Sequence, residues 1–271
     1  GVPWAKSAPG IFCYNDLEAK PLDVLAGKTL SGAAITSSAK LKGTMPNLTY
    51  VGVPVITGKA DVSAEVAQIL AFKPDVMIYS NQGSECWTWM NEMIKQGWNA
   101  ATGFPVVLSG ACIDLVTMAK LGNAIKGIYT IGGASILDPE ALTGQLKVEA
   151  KNYGAKMAKY SSDHKLDGTG FATQGYTGIM NIWAILNEVG GVKATGEDVR
   201  KGFKQTKNHH AFGGTGISCQ DAIKPYIAVC ATLVSASQWN GTALKAVKNA
   251  QNFSGLVVVG KGDALRTTEV K

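Results

Sequence analysis

The fold is decided by residues 51–81, VGVPVITGKADVSAEVAQILAFKPDVMIYSN. An apolar run is followed by a turn with Gly, Lys and Asp, and then by an amphipathic segment that predicts a helix over Val62–Phe72. Asp61 stands at the position of a helix N-cap. The stretch ends on VMIYS, a continuous apolar run typical of a parallel strand that is covered on both faces. This order predicts a strand, helix and strand of a doubly wound α/β sheet.

The same alternation continues on both sides of this stretch. Short apolar runs predict strands at Gly1–Trp4, Thr49–Ile56, Asp75–Ser80, Pro105–Ser109 and Gly127–Ile131. Amphipathic segments predict helices at Ile11–Ala26, Val62–Phe72, Cys86–Gln96 and Leu115–Lys120. The first half of the chain therefore predicts a sheet of parallel strands with helices on both faces.

The pattern changes after Gly132. Two long helical segments, Pro139–Tyr160 and Phe171–Val189, follow each other with no strand signal between them, and residues 196–205 predict a short helix. Strand signals return at 225–234 and 256–260. Because these elements cannot build a parallel sheet alone, we expect a domain boundary near 127–137 and a second half whose other strands lie elsewhere.

Composition excludes several classes of protein. With 271 residues, 46% hydrophobic and 17% charged, the chain can bury one large or two small cores, which excludes intrinsic disorder. No apolar stretch approaches the eighteen or so residues of a membrane span. The net charge of +6 comes almost entirely from dispersed lysines, with Arg200 and Arg266 as the two arginines, so we expect no nucleic-acid partner. The chain opens at Gly1 without a basic and apolar leader, so we expect a mature or trimmed product.

Motifs for catalysis, phosphate binding and metal binding fail on spacing. AGKT at 26–29 ends like a phosphate-binding loop, but Leu22 stands where that loop needs glycine. GGTG at 213–216 lacks the dinucleotide-binding spacing and predicts a tight turn. His209 and His210 are adjacent, so they point in different directions, and a structural or exposed role is favoured over metal binding. No nucleophile motif is present, and no cofactor is predicted.

The remaining candidate site follows from the geometry of α/β sheets, in which ligands bind beyond the carboxyl ends of the strands. The predicted loops at that edge are Ala5–Pro9, Thr57–Ala60, Asn81–Glu85 and Gly110–Asp114. Among them, the loop from Asn81 offers amide and hydroxyl groups and free backbone N–H groups ahead of a helix, which suits a carboxylate. The alternative is ordinary helix capping by Ser84 and a turn at Gly83.

Several segments resemble the periplasmic binding proteins of the branched-chain amino acid type. The resemblance rests on residues 51–81, on FPVVLSGACIDLVTMAKLGNAIKGIYT at 104–130, on GFATQGYTGIMNIWAIL at 170–186 and on FGGTGIS at 212–218. It covers nearly the whole chain. It implies the type I periplasmic-binding-protein fold, with doubly wound parallel sheets in two lobes joined by a hinge.

The resemblance also implies that the first lobe is incomplete. Residues 1–127 would form the complete second lobe, and residues 128–271 would form the returning hinge segments and the C-terminal part of the first lobe. The family's other half would be a cleaved or separate piece, or absent. We therefore expect either a bound N-terminal fragment or self-association.

The implied function is that of an extracytoplasmic solute-binding receptor of an ABC importer, without catalysis, with a permease as partner. Such a protein is periplasmic or extracellular, and a lipid anchor is possible in its precursor. The implied ligand-binding residues are Gln82, Gly83, Ser84, Ser109, Gly110 and Asp114. In the amino-acid binders, an aromatic residue and an acid contact the ligand where this chain has Pro9 and Ala111, so Asp114 would have to replace the acid.

Two alternatives to this function stay open. A ligand-sensing domain of a signalling protein uses the same fold and differs in what it is attached to, which gene context would reveal. A small-molecule enzyme would need a paired base and nucleophile at the strand ends, and the chain offers none that we can identify.

The five cysteines predict two disulfides and one remaining thiol. Cys86 and Cys112 each begin the element after a strand, and those two strands should lie close in the sheet. Cys219 and Cys230 should pair across a loop. Cys13 is then free or paired with the missing half.

Overall fold

The structure is a computed structural model of the chain, and it describes residues 10–15, 49–54, 59–80, 84–132, 134–164, 168–213, 216–221, 230, 233–247, 253–254, 257–259 and 265–267. The helices in this part are α1 Ser63–Phe72, α2 Glu85–Lys95, α3 Leu115–Leu121, α4 Gly144–His164, α5 Phe171–Glu188 and α6 Gly196–Gln205. The strands are β1 Gly10–Asn15, β2 Thr49–Pro54, β3 Val76–Ser80, β4 Val106–Ser109, β5 Tyr129–Ile131, β6 Leu233–Val234, β7 Ala236–Trp239, β8 Leu244–Ala246, β9 Phe253–Ser254, β10 Val257–Val259 and β11 Leu265–Thr267.

Seven strands form one sheet in the order β2-β1-β3-β4-β5-β7-β8. Its centre, β3, β4 and β5, is parallel, as the sequence predicts. The flanking strands are antiparallel, so the sheet is mixed rather than wholly parallel. The predicted α/β fold class is confirmed, and the parallel centre places the carboxyl ends of β3 and β4 at one edge.

The prediction of a helix over Ile11–Ala26 is wrong for residues 11–15, which lie in β1. This strand pairs with β2 on one side and with β3 on the other. The run Ile-Phe-Cys-Tyr suits a strand because β-branched and aromatic residues are favoured there. The strand predicted at Gly1–Trp4 and the side chain of Cys13 lie outside the described part of the chain.

The helices predicted at Val62–Phe72, Cys86–Gln96 and Leu115–Lys120 form as α1, α2 and α3, and they pack on one face of the sheet rather than on both. Met77 and Tyr79 of β3 belong to a large core cluster that includes Ile69 of α1 and Met90 of α2. Asp61 precedes α1, and its Oδ1 accepts a hydrogen bond from the Ser63 backbone N–H at 3.0 Å. The hydroxyl and the backbone amide of Ser63 hold the pKa of Asp61 below its usual value.

On the opposite face of the sheet, Val76, Ile78 and Val107 are also buried. Burial on both faces is what the apolar run VMIYS predicts.

The chain returns to this sheet near its C-terminus through the hairpin of β7 and β8. Strand β7 pairs antiparallel with β5, so that Thr130 stands opposite Ser237. Trp239 is 1% exposed, and its indole N–H donates to the Gly122 carbonyl at 3.0 Å. The segment 1–127 predicted for this lobe ends before the hairpin. The structure adds residues 236–246 to the same sheet.

Helices α4, α5 and α6 follow the parallel centre of the sheet along the chain. Among the described residues, α5 packs mainly on α6, and the three helices contact the 3₁₀ turns at 134–141, 191–193 and 219–221. Helix α6 begins with a reciprocal capping box between Thr195 and Asp198. In the described part of the chain, no helix combines the length and the apolar character needed to span a membrane.

Candidate functional site

The loop after β4 is braced by its own backbone and side chains. Gly110–Cys112 form a 3₁₀ turn, and the Ser109 Oγ accepts a hydrogen bond from the Ala111 backbone N–H at 3.1 Å. The Gly110 carbonyl accepts from the Ile113 N–H at 3.2 Å. Ser109 and Gly110, both predicted site residues, therefore lie together at the carboxyl end of a parallel strand. In this bond the Ser109 hydroxyl is the acceptor, so its own proton is not used there.

Gly110 lies close to the end of the neighbouring strand, where a side chain would be crowded. A Cβ at this position would lie 3.1 Å from the Ile131 carbonyl oxygen and 3.3 Å from the Gly132 carbonyl carbon. Gly132 has a φ of +104°, a value that favours glycine, and its N–H donates to the Ser235 carbonyl at 3.0 Å. The two glycines thus bring the ends of β4 and β5 together at the point where the chain leaves the sheet.

A disulfide joins the two candidate loops. Cys86 in the first turn of α2 is bonded to Cys112 in the 3₁₀ turn, with 5.7 Å between their Cα atoms. Both cysteines are almost fully buried. The structure therefore contains the predicted pairing, and it also contains the predicted pair of Cys219 and Cys230. The first disulfide fixes the start of α2 against the loop that carries Ser109 and Gly110.

The loop after β3 is described from Ser84 onward, and Gln82 and Gly83 lie outside the described residues. Ser84 is exposed, and its side chain makes no capping hydrogen bond to α2. Its carbonyl accepts from the backbone N–H groups of Trp87 at 3.1 Å and of Thr88 at 3.2 Å. The alternative in which the Ser84 hydroxyl caps the helix is therefore not what the structure shows. The structure leaves Ser84 exposed to solvent.

Asp114 serves as the N-cap of α3. Its Oδ1 accepts from the Thr117 backbone N–H at 3.0 Å, and its Oδ2 accepts from the Thr117 hydroxyl at 2.6 Å. Each carboxylate oxygen retains a further lone pair, so a role in ligand binding stays a prediction. The structure shows that a structural role is already present.

A third segment meets these loops, and the sequence reasoning missed it. The Thr169 hydroxyl donates to the Ile113 carbonyl at 2.9 Å, and a Cβ on Gly170 would lie 3.1 Å from the same oxygen. Phe171 follows as the first residue of α5 and is 49% exposed. The signal in the sequence is GTGF at 168–171, directly before a long helix. Gly170 in this segment has a φ of +55°, a value that favours glycine. Residues 169 and 170 therefore contact the loop after β4.

Two other features of the described residues do not belong to this site. A shallow, open depression of about 450 Å³ is lined by Leu70, Lys73 and Phe104, at the edge where β3 and β4 begin. The described residues contain no group of three or more His, Cys, Asp or Glu that could hold a metal ion. His209 and His210 each pair with one glutamate, Glu188 at 2.8 Å and Glu149 at 2.7 Å.

The mixed α/β sheet, with loops at its carboxyl edge and three further helices, is similar to several solved structures. Similar solved structures include a leucine-binding protein from Thermotoga maritima, with 16% identity and a TM-score of 0.52 over 71% of this chain. An extracellular ligand-binding receptor from Rhodopseudomonas palustris matches 82% of the chain with 15% identity and a TM-score of 0.54. A solute-binding protein of an ABC transporter from R. palustris, in complex with benzoate, matches 74% with 17% identity and a TM-score of 0.52. These similarities show the type I periplasmic-binding-protein fold.

The family assignment comes from the sequence. The family described as periplasmic binding protein matches residues 18–253, so the chain belongs to that family. No curated protein matches the sequence. The chain covers 49% of the length of the leucine-binding protein and 62% of that of the extracellular receptor.

Proposed function

We propose that the protein is the solute-binding component of an ABC importer, and that it holds a small carboxylate between the two loops at the carboxyl edge of β3 and β4. Family membership supports the class of function. The observation that carries the position of the site is the Cys86–Cys112 disulfide, since it fixes both loops relative to each other. A binding site that is fixed before the ligand arrives loses less conformational entropy on binding.

Each loop contributes a different kind of group. The segment of Gln82, Gly83 and Ser84 supplies an amide, backbone N–H groups and a hydroxyl, of which the structure describes the exposed Ser84. Ser109 supplies a hydroxyl proton. Donors of this kind suit the oxygens of a carboxylate. Gly110 would form the floor, where a Cβ would crowd the Ile131 carbonyl oxygen at 3.1 Å.

An apolar side chain follows directly after the segment that contacts the loop after β4. Phe171 is half exposed at the start of α5, and residues 169 and 170 contact the loop that contains Ala111 and Ile113. The similar structures include proteins whose names give leucine and benzoate as ligands, and both molecules combine a carboxylate with an apolar body. Ala111 offers no charge for an ammonium group, and Asp114 already holds Thr117. We therefore favour a carboxylate with an apolar body over a free α-amino acid.

The proposal also includes the location of the protein, its partner and its division into lobes. The family points to an extracytoplasmic location, and two disulfides suit an oxidising compartment. The partner would be the permease of the importer. The division into a second lobe over 1–127 and a returning part over 128–271 is kept as part of this proposal, with residues 236–246 added to the sheet of the second lobe. A ligand-sensing domain with the same site remains the second candidate, since the fold serves both uses.

A thermal-shift screen tests the proposal. A carboxylate present at a hundred times its dissociation constant should stabilise the protein by about 2.7 kcal/mol and raise the melting temperature by about 5 to 10 °C. The panel should pair each apolar acid with its neutral amide, for example benzoate with benzamide and 4-methylpentanoate with 4-methylpentanamide. Stabilisation by acids and not by their amides is expected. The proposal fails if no acid in the panel shifts the melting temperature at millimolar concentration.

A further inference from the structure

A short loop follows α6 and is closed by its own backbone. We define the clasp segment as residues 206–213 and 216–218. The backbones of His209 and Ile217 exchange two hydrogen bonds, at 3.0 Å and 2.9 Å, and the Asn208 N–H donates to the Ser218 hydroxyl oxygen at 2.8 Å. Ala211 and Ile217 are buried. The clasp segment is therefore an ordered unit, and its attachments to the helices decide where it lies.

Two adjacent histidines attach the clasp segment to two different helices. His209 Nε2 lies 2.8 Å from Oε1 of Glu188, the last residue of α5. His210 Nε2 lies 2.7 Å from Oε1 of Glu149 on α4. Because each contact joins an imidazole to a carboxylate, the attachment depends on where the protons are.

Both ring nitrogens of His209 face hydrogen-bond acceptors. Its Nδ1 lies 2.7 Å from the His210 carbonyl oxygen, and its Nε2 faces the Glu188 carboxylate. A carbonyl and a carboxylate have no proton to donate, whereas a neutral imidazole carries one N–H and can satisfy one of them. The arrangement is complete when both ring nitrogens carry protons. A proton on Glu188 instead would give the same count, which is one more than a neutral imidazole and a carboxylate hold.

His210 faces a carboxylate that is largely cut off from water. The Glu149 side chain is 7% exposed, and its Oε2 has no hydrogen-bond partner in the described part of the chain. The Gln145 amide that donates to its Oε1 at 2.9 Å is neutral. A buried carboxylate is costly unless a positive charge compensates it, so an imidazolium at His210 is its natural partner. Burial, and then the Glu149 charge, raise the pKa of Tyr176, so this neighbouring phenol keeps its proton.

We propose that the clasp segment is fastened by protons: an imidazolium at His209 holds it to α5, and an imidazolium at His210 holds it to α4. Among the described residues, the titratable groups that face the two rings are Glu149 from α4 and Glu188 from α5, with Tyr176 of α5 near Glu149. Loss of one proton from His209 sets the lone pair of a ring nitrogen against an acceptor, and that hydrogen bond is lost. This inference is independent of the solute site and of the proposed function.

Rising pH should loosen the clasp segment. At pH values where a free imidazole is neutral, the folded protein holds more protons than the unfolded chain, and stability then falls as the pH rises. Histidine exchanges its proton between about pH 5 and 8. The fastening should therefore be complete at the acidic end of this range and weaken toward its alkaline end.

Nitrogen NMR of the imidazole rings tests the proton count, because the chemical shift of each ring nitrogen reports whether it carries a proton. The chain has three histidines, so His164→Gln, His209→Gln and His210→Gln assign the spectrum. At about pH 7.5, the ratio of charged to neutral His209 should be about two- to fivefold higher in the unmodified protein than in Glu188→Gln, as for an exposed ion pair. The glutamine can donate to a ring nitrogen that has lost its proton.

The matched control is Glu197→Gln. Glu197 is 49% exposed and pairs with Arg200, whereas Glu188 is 56% exposed and pairs with His209, so both variants should fold. The control should leave the charged fraction of His209 as it is in the unmodified protein. No change in Glu188→Gln, or an equal change in both variants, overturns the inference.

Hydrogen exchange measures the fastening itself. The Phe212 backbone N–H donates to the Asn181 side-chain oxygen on α5 at 2.8 Å, so its protection reports whether the clasp segment is attached. Protection is expressed relative to the exchange rate of an unfolded chain at the same pH, which removes the direct effect of pH on the exchange reaction. From about pH 6 to pH 8.5 it should fall at least about threefold.

The Thr117 backbone N–H on α3 is the internal control, because it also donates to a side-chain oxygen, Oδ1 of Asp114, at 3.0 Å. Its protection should stay constant over the same pH range. If the protection of Phe212 is constant as well, or falls no more than that of Thr117, the proton-dependent clasp is wrong.

Discussion

Replacement of Cys86 and Cys112 by alanine is expected to lower the free energy of unfolding by about 3.5 kcal/mol, as the loop-closure relation gives for a cross-link over 26 residues. The bond limits the freedom of the unfolded chain, and in the folded protein it fixes the two candidate solute loops. The double variant should therefore also bind solute more weakly. Urea denaturation measures the stability, and calorimetry measures the binding.

The second disulfide supplies the control for this prediction. Cys219 and Cys230 are separated by 11 residues, so their replacement by alanine should cost about 2.8 kcal/mol. That disulfide lies outside both candidate loops, so solute affinity should be retained. An unchanged urea midpoint for the Cys86 and Cys112 variant would show that this bond does not form in solution.

Trp239→Ala is expected to destabilise the protein by about 3 to 5 kcal/mol, the usual cost of removing a large buried aromatic residue. Trp239 is 1% exposed in the core of the sheet, and its indole N–H donates to Gly122 at 3.0 Å. The change tests whether residues 236–246 belong to the sheet that carries the candidate site. Trp239→Phe keeps most of the volume and should cost less than the alanine variant.

Trp183→Ala is the matched control, because this tryptophan is 54% exposed on α5. Its effect on the 271-residue chain should stay within about 0.5 kcal/mol, as for most surface substitutions. If Trp239→Ala were equally mild, the C-terminal hairpin would not be an integral part of this sheet.

The elements that the sequence predicts well are those in which local pattern and tertiary environment agree. VMIYS is apolar throughout and lies at the centre of the sheet, while α1 and α2 carry the spacing of amphipathic helices. Residues 11–15 begin the amphipathic segment that predicts a helix over Ile11–Ala26, and an apolar run of this length has no decisive period. Pairing with two neighbouring strands decides its conformation, and no local signal encodes that pairing.

The candidate site is only partly readable from the sequence for the same reason. The strand-end rule identifies Ser84, Ser109 and Gly110, because it depends on chain order alone. The contact of Thr169 with Ile113 joins residues 56 positions apart, and the β7 and β8 hairpin joins β5 across more than a hundred. Such long-range contacts depend on how the two halves pack. The capping role of Asp114 was readable in principle, since Asp directly before a helix is a standard N-cap.

The most direct test of the central claim is a calorimetric titration with the solute that the thermal-shift screen identifies. Gln82→Ala and Ser84→Ala should each weaken binding by about 1 to 3 kcal/mol, or roughly 5- to 150-fold, because each leaves a polar group of the bound solute unpaired. Both variants should remain folded. Thr102→Ala, at the opposite edge of the sheet, should bind like the unmodified protein. Unchanged affinity in both loop variants would contradict the placement of the solute at the carboxyl edge of β3 and β4.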